Sequence, residues 1–311
     1  MFTKTMNYHI SMKRFIKLLL LSPMAFSITG CKKETPKPDP TPVDVVVISG
    51  QSNAVGCTYA SCISRSIGHS KYQEYMAGYP GIQIAFDSWT KDEGPRFYSQ
   101  NASKDDDFVK VMLGQGNSLA TFGPEIGIAE ELHEKYDGKL FIIKYACGAS
   151  NLKDDWAKRN SPMYNRFVEY VKKQMKNLES KNYIPTIKAM CWMQGEGDSY
   201  DGYYQDYYEN TKGFVSNLRE DFKELSGNKD FPFIDAGISN AKVWQYYKKV
   251  NEAKQQFAEE SENNYYIDTI GAGLHTNEEP FGSPDECHYD SESQVLLGNL
   301  FARAFEPFLD K

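Results

Sequence analysis

The chain lacks any apolar run long enough to cross a membrane, has few cysteines and carries only five histidines. Each shortage removes a class of protein. Six cysteines in 311 residues form no CxxC pair and no cysteine–histidine spacing suited to zinc, so neither a zinc module nor a dithiol redox site is written here. A chain of this length buries about three-quarters of its unfolded surface and needs no disulfide or metal to hold a core. The apolar run from Leu18 to Ile28 would rise only about 16 Å as a helix, whereas a bilayer span needs about 20 residues. Positive charge is short as well: 35 Lys+Arg face 42 Asp+Glu, for a net charge of −7. Four of the basic residues (Lys4, Lys13, Arg14, Lys17) lie in the first thirty positions, which hold no acidic ones. The remainder is therefore more acidic still, which argues against phosphate backbones, and no nucleic-acid partner is expected. With 25% charged and 41% hydrophobic residues, wholesale disorder is excluded.

What is present begins with an address. Basic residues, the short apolar run and then Ile28-Thr29-Gly30-Cys31 make the pattern of a secretory signal. The last four residues resemble a bacterial lipobox. That resemblance implies a signal peptide over 1–30, lipidation of Cys31, and an exported chain anchored to a bacterial membrane on its periplasmic or outer side. Met12 is the better start for such a signal, and a signal with an incidental cysteine is the alternative. Residues 31–43 contain four prolines within KKETPKPDPTPV, a semi-rigid tether of about 3 Å per residue. The folded domain is expected over 44–311, touching the membrane only through its anchor. Of the other cysteines, Cys57 and Cys62 lie close enough in sequence to bridge. Cys147 and Cys191 sit in apolar runs where a buried free thiol is commoner, and Cys287 lies near the C-terminus.

Short apolar runs recur at Val45–Ser49, Ile82–Phe86, Leu140–Tyr145, Ile187–Met193, Phe233–Ile238 and Tyr265–Ile267. Between most of them lie helical stripes. Pro162–Leu178 places Phe167, Val171, Met175 and Leu178 on one face; similar stripes run through Pro124–Tyr136, Tyr203–Leu225, Val243–Glu260 and Ser291–Phe305. Alternating apolar strands and helices predict a parallel sheet covered on both faces. Ser88 to Gly123 has little periodicity and reads as a long loop insertion over one edge. In such sheets ligands bind at the carboxyl ends of the strands, so reactive residues just past a strand carry the most weight.

The first strand runs into Gly50-Gln51-Ser52-Asn53-Ala54, with Ser52 just past its end. A serine there is exposed on a turn and becomes a nucleophile if a base lies beside it. By itself it also suits a turn or a helix N-cap. Four histidines follow the signal region: His69, His133, His275 and His288. His133 lies on the polar face of a Glu-rich helix, and His69 and His275 have no carboxylate at a useful spacing. His288 has Asp285 three residues before it, close enough to accept its Nδ1–H and leave Nε2 free for a serine proton. An Asp capping the terminal helix beside a surface His is the alternative.

Gly50-Gln51-Ser52-Asn53, the glycine of Ala146-Cys147-Gly148-Ala149, Trp192-Met193-Gln194-Gly195-Glu196-Gly197-Asp198 and Asp285-x-x-His288 together resemble the SGNH-type hydrolases. More narrowly they resemble the sialate O-acetylesterase-like carbohydrate acetylesterases, which Gly123-Pro124-Glu125 also matches. The likeness runs in order from about Asp44 to Lys311. It implies a three-layer α/β/α sandwich with a central, flavodoxin-like parallel sheet, and no metal or organic cofactor. Ser52 would be the nucleophile, His288 the base and Asp285 its orienter. The oxyanion hole would be the N–H groups of Ser52 and Gly148 and the amide of Gln194, with Gln51, Asn53 and Glu196 in support. Ala149 stands where relatives commonly have a second glycine, which leaves residue 148 or 149 as the donor.

The implied reaction removes O-acetyl groups from a carbohydrate through an acyl-enzyme. An esterase for another small acyl ester and a non-catalytic glycan-binding lipoprotein are the alternatives on the same scaffold. Glu196 and Asp198 also form the kind of acid pair that glycosidases use. Tyr200, Tyr203, Trp89 and Trp156 are candidates to stack on a sugar, whereas Tyr204, Tyr207 and Tyr208 suit helix packing.

Overall fold

Strand β1 (Thr41–Gly50) is apolar without alternation, as a strand covered on both faces must be: Val45 to Ile48 have at most 1% of their surface exposed. The computed structural model describes residues 38–91, 98–136, 138–276 and 279–310. The expected signal, lipobox and first half of the tether lie outside these residues. β1 starts three residues before the expected Asp44. Thr41, Pro42 and Val43 pair with Tyr183, Ile184 and Pro185, so the end of the expected tether is already sheet.

The elements follow in order: α1 (Ser52–Val55), β2 (Thr58–Tyr59), α2 (His69–Ala77), β3 (Tyr79–Lys91), β4 (Tyr98–Ala102), β5 (Val109–Val111), β6 (Thr121–Phe122) and α3 (Glu125–Leu132). Then come β7 (Leu140–Gly148), α4 (Pro162–Ser180), β8 (Tyr183–Met193), α5 (Tyr207–Asp221), β9 (Phe233–Ala236), α6 (Tyr247–Ala258), β10 (Asn264–Ile267) and α7 (Ser291–Phe305). The main sheet runs β10-β9-β8-β1-β7-β3-β4, with β5 also on β3. All neighbours from β10 to β3 are parallel. Counting only the parallel strands, the order is 2-3-1-4-5-6. This differs from the flavodoxin order 2-1-3-4-5, because β7 inserts between β1 and β3.

The six apolar runs each became a strand and the five stripes each became a helix. The difference lies in Ser88–Gly123. It is not one loop: β3 continues to Lys91, and β4 and β5 return antiparallel along it. Their sequences, the polar Tyr98–Ala102 (YSQNA) and the very short Val109–Val111 (VKV), suit edge strands and lack the long apolar run that marks a central one.

Helices α1, α3 and α7 cover one face and α4, α5 and α6 the other. On the second face Trp192 meets Phe214 at 4.7 Å and Trp156 edge-on at 5.4 Å. Trp156 is fully buried in this aromatic core, so it is no stacking platform for a ligand. α4 opens with Ser161 accepting from the Tyr164 amide and Pro162 in its first turn, a local start signal that needs no tertiary help.

Candidate active site

At the carboxyl end of β1 the chain turns sharply. Gly50 has φ +140°, and a Cβ there would lie 2.0 Å from the Met193 carbonyl oxygen of neighbouring β8, so only glycine fits. Gln51 then donates its N–H to Met193 O at 2.9 Å, and its own carbonyl accepts from Ala54 and Val55 at 2.8 Å, opening α1. Gln51 is the N-cap of α1 and Ser52 its first residue, half-buried. The Ser52 hydroxyl thus has no capping duty, which leaves it for chemistry.

Asp285 and His288 meet as the spacing predicts. His288 Nδ1 lies 2.6 Å from Asp285 Oδ2, while Asp285 Oδ1 accepts the amides of Cys287 at 2.8 Å and His288 at 3.2 Å. Burial opposes the charge on Asp285, but the His288 hydrogen bond and charge and these two amides outweigh it and hold the carboxyl at about 2. For His288, burial favours the neutral ring. The hydrogen bond to Asp285 and the Asp285 charge, with a contribution from neighbouring Cys57, outweigh it and raise the imidazole above its ordinary 6.5.

The two ends of the chain are joined through the residues that follow Ser52 and His288, namely Asn53 and Tyr289. The Tyr289 amide donates to Asn53 Oδ1 at 3.1 Å, and Gln294 Nε2 donates to the Asn53 carbonyl at 2.9 Å. Thr58 Oγ1 donates to the Tyr289 carbonyl at 2.7 Å. Gly148, ending β7, lies against Ser52: a Cβ there would stand 3.9 Å from the Ser52 Cβ. Ala149 has φ +56°, a left-handed conformation that an L-residue such as alanine adopts only at a cost and that suits glycine better.

Gln194, expected as the third oxyanion donor, has partners inside the protein. It is fully buried, and its amide donates to Asp198 Oδ2 at 2.6 Å and to Gln51 Oε1 at 3.2 Å, while Tyr207 OH donates to its Oε1 at 3.2 Å. Both amide hydrogens are engaged internally, with Gln51 and Asp198. The side chain locks one block to another. Gln51 Oε1 also accepts the amides of Gly195 at 3.3 Å and Gly197 at 3.0 Å. Glu196 Oε1 accepts from Asn53 Nδ2 at 2.7 Å, and burial raises the Glu196 pKa. Asp198 accepts the amides of Leu152 at 2.6 Å and Lys153 at 3.2 Å; burial outweighs these bonds and pushes it up to about 6. Glu196 and Asp198 are both fully buried, which removes them as a glycosidase pair.

The structure adds contacts that spacing did not show. His275 does have a carboxylate: its Nε2 lies 3.0 Å from Asp290 Oδ2, fifteen residues away along the chain. Cys57 is a neighbour that raises the His288 pKa, although nothing in its spacing marks it. All five described cysteines are free, Cys57 and Cys62 included. Tyr200 is 37% exposed and packs edge-on to Trp244 at 6.3 Å, while Trp89 is half-buried under the Arg166 guanidinium at 5.4 Å. Tyr204 stacks on Tyr246 at 4.3 Å. Among the described residues no group of three or more His, Cys, Asp or Glu could hold a metal ion.

A serine past the first strand and an Asp–His pair entering the last helix, over a mostly parallel sheet flanked by helices, define the SGNH-hydrolase type of α/β fold. Over residues 42–306 the chain matches the family of carbohydrate esterases described as sialic acid-specific acetylesterases, and it belongs to that family. A probable carbohydrate esterase of Arabidopsis thaliana is 28% identical over 187 residues, which is 59% of this chain and 63% of that relative. The solved structure of an Arabidopsis thaliana protein superposes with a TM-score of 0.58 at 23% identity, covering 88% of this chain and all of that one. NanS gives 0.62 at 16% identity, covering 88% and 99%. A carbohydrate acetylesterase from Xanthomonas citri gives 0.54 at 16% identity, covering 86% of this chain and 56% of its own.

Proposed function

We propose that the chain is a serine esterase that removes O-acetyl groups from a carbohydrate through an acyl-enzyme. The observation that carries this reading is the 2.6 Å Asp285–His288 pair, tied through Tyr289 and Asn53 to the turn that exposes Ser52. Ser52 Oγ attacks the acetyl carbonyl carbon while His288 Nε2 takes its proton. Asp285 holds the ring in the required tautomer and stabilises the imidazolium. The oxyanion is held by the backbone N–H of Ser52 and that of residue 148 or 149, since the Gln194 amide is engaged elsewhere. Each such donor is worth about 10²–10³ in rate. Collapse breaks the bond between the acyl carbon and the sugar oxygen, and His288 returns the proton to that oxygen. Water then enters by the same route, releasing acetate and restoring Ser52.

An acetylated glycan, with sialic acid the first candidate, is the substrate that the family description favours, and the exposed Tyr200 and half-buried Trp89 suit a sugar face. The chain is further proposed to be exported and anchored through a lipid on Cys31. Acetate release from O-acetylated sialic acid, xylan and pectin fragments, with the Ser52→Ala variant as control, tests the enzyme. Equal release by the variant would reject it. Radiolabelled fatty acid entering the wild-type chain but not the Cys31→Ala variant tests the anchor.

A further inference from the structure

Beneath the nucleophile turn lies an ion pair that the mechanism does not use. Lys144, on β7, and Glu125, opening α3, are both fully buried with Nζ and Oε2 2.8 Å apart. Such a pair is weak evidence for stability, because well-packed apolar residues of the same volume often serve as well or better. The ammonium has another task. Its three protons match three acceptors: Glu125 Oε2, the Gln115 carbonyl at 2.6 Å and the Val55 carbonyl at 3.1 Å.

Val55 ends the single turn that Ser52 begins, and the Gly56 amide closes that turn on the Ser52 carbonyl at 2.9 Å. A four-residue helix leaves its last carbonyls without helical partners, and Lys144 supplies one. Gln115 belongs to the segment between β5 and β6, whose backbone lies directly on the nucleophile turn. A Cβ on Gly116 would stand 2.2 Å from the Gly56 carbonyl oxygen, and the Asn117 amide donates to that same oxygen at 2.8 Å. Asn117 Oδ1 accepts from Thr90, which is level with Gly148 in the sheet. Glu125 closes the arrangement, its Oε1 accepting the Gly123 amide at 2.9 Å. Burial pushes the Lys144 pKa down, and the charge and hydrogen bond of Glu125 oppose this.

The geometry points to Lys144 as a positioning residue for the nucleophile: by holding the Val55 and Gln115 carbonyls together, its ammonium fixes where Ser52 stands above the sheet edge. Glu125 acts through it. The inference rests on Ser52 being the nucleophile. It assigns to two buried residues an effect on turnover, since misplacement by about 1 Å can cost about 10² in rate.

The experiment uses the Lys144→Met/Glu125→Leu double variant, which removes both charges together and leaves neither stranded. With an aryl acetate as probe, kcat should fall about 100-fold with KM within threefold, and labelling of Ser52 by a fluorophosphonate should slow by a similar factor. The melting temperature should stay within a few degrees of the parent. A folded double variant that keeps kcat within threefold overturns the proposal. So does one that fails to fold, because the pair would then be a stability element. Ser52→Ala run in parallel separates the two ideas: if that variant keeps parental turnover, the nucleophile assignment itself has failed.

Discussion

Two histidine–carboxylate–serine groups sit within reach of the start of α7, and they differ in what already occupies their hydroxyls. In the first, His275 Nε2 lies 3.0 Å from Asp290 and its Nδ1 lies 3.4 Å from the Ser293 hydroxyl. In the second, His288 is held by Asp285 and joined to the Ser52 turn. The first group is employed structurally throughout. Asp290 caps α7 by accepting the Ser293 amide at 2.8 Å, and the buried Ser293 hydroxyl accepts the His275 amide at 2.9 Å. In the second group the serine is half-buried, carries no cap and stands on a one-turn helix at the carboxyl end of the central strand β1. A serine near a histidine is therefore not enough. The hydroxyl must be free of backbone duties and open to substrate.

Parallel substitutions sharpen that contrast, the largest effect first. Ser52→Ala should lower kcat on an aryl acetate by about 10⁴–10⁶, by analogy with triad knockouts, whereas Ser293→Ala should leave kcat within threefold. Steady-state kinetics on both variants decides it, and similar losses would erase the distinction. Asp285→Asn should cost about 10⁴ in kcat through the wrong tautomer. Asp290→Ala should instead lower stability by about 1 kcal/mol through the lost cap, read by denaturant melts.

The pH profile gives a smaller, signed effect. The base must be neutral to accept the serine proton, and His288 is raised above 6.5, so kcat/KM should climb with pH to a midpoint above that value. Cys57→Ala removes one of the groups that raise it and should move the midpoint to lower pH. A midpoint that stays put would dismiss the Cys57 contact. Stability carries the same signs. The raised His288 stabilises the fold fully below pH 6.5, and this is lost as pH rises through its folded value. The lowered Asp285 stabilises it above its ordinary 3.8, and this is lost as pH falls toward about 2. Melting temperatures of the Asp285→Asn variant against its parent across pH 2–5 test the second sign.

Much of this was legible beforehand. Continuous β-branched runs marked the central strands because burial on both faces demands them, and β1, β7 and β8 formed where those runs lie. Ser52, Asp285 and His288 stood out through strand-end placement and an i, i+3 spacing. Other features left no local trace. α1 is too short for a period, and α2 (HSKYQEYMA) buries only Tyr75. β4 is a polar edge and β5 has only three residues. The fate of Gln194 depended on the buried acceptors Gln51 and Asp198, one of them 143 positions away along the chain.

The sequence by itself determined which segments must be buried and which reactive groups stand at strand ends, because hydrophobic period and turn chemistry are local properties. Tertiary packing alone decided which polar groups are already spent on one another. It tied Gln194 to Gln51 and Asp198, His275 to Asp290, and Lys144 to three distant partners. Hydrogen-bond partners in a core are chosen by proximity in space, and no pattern along the chain encodes that.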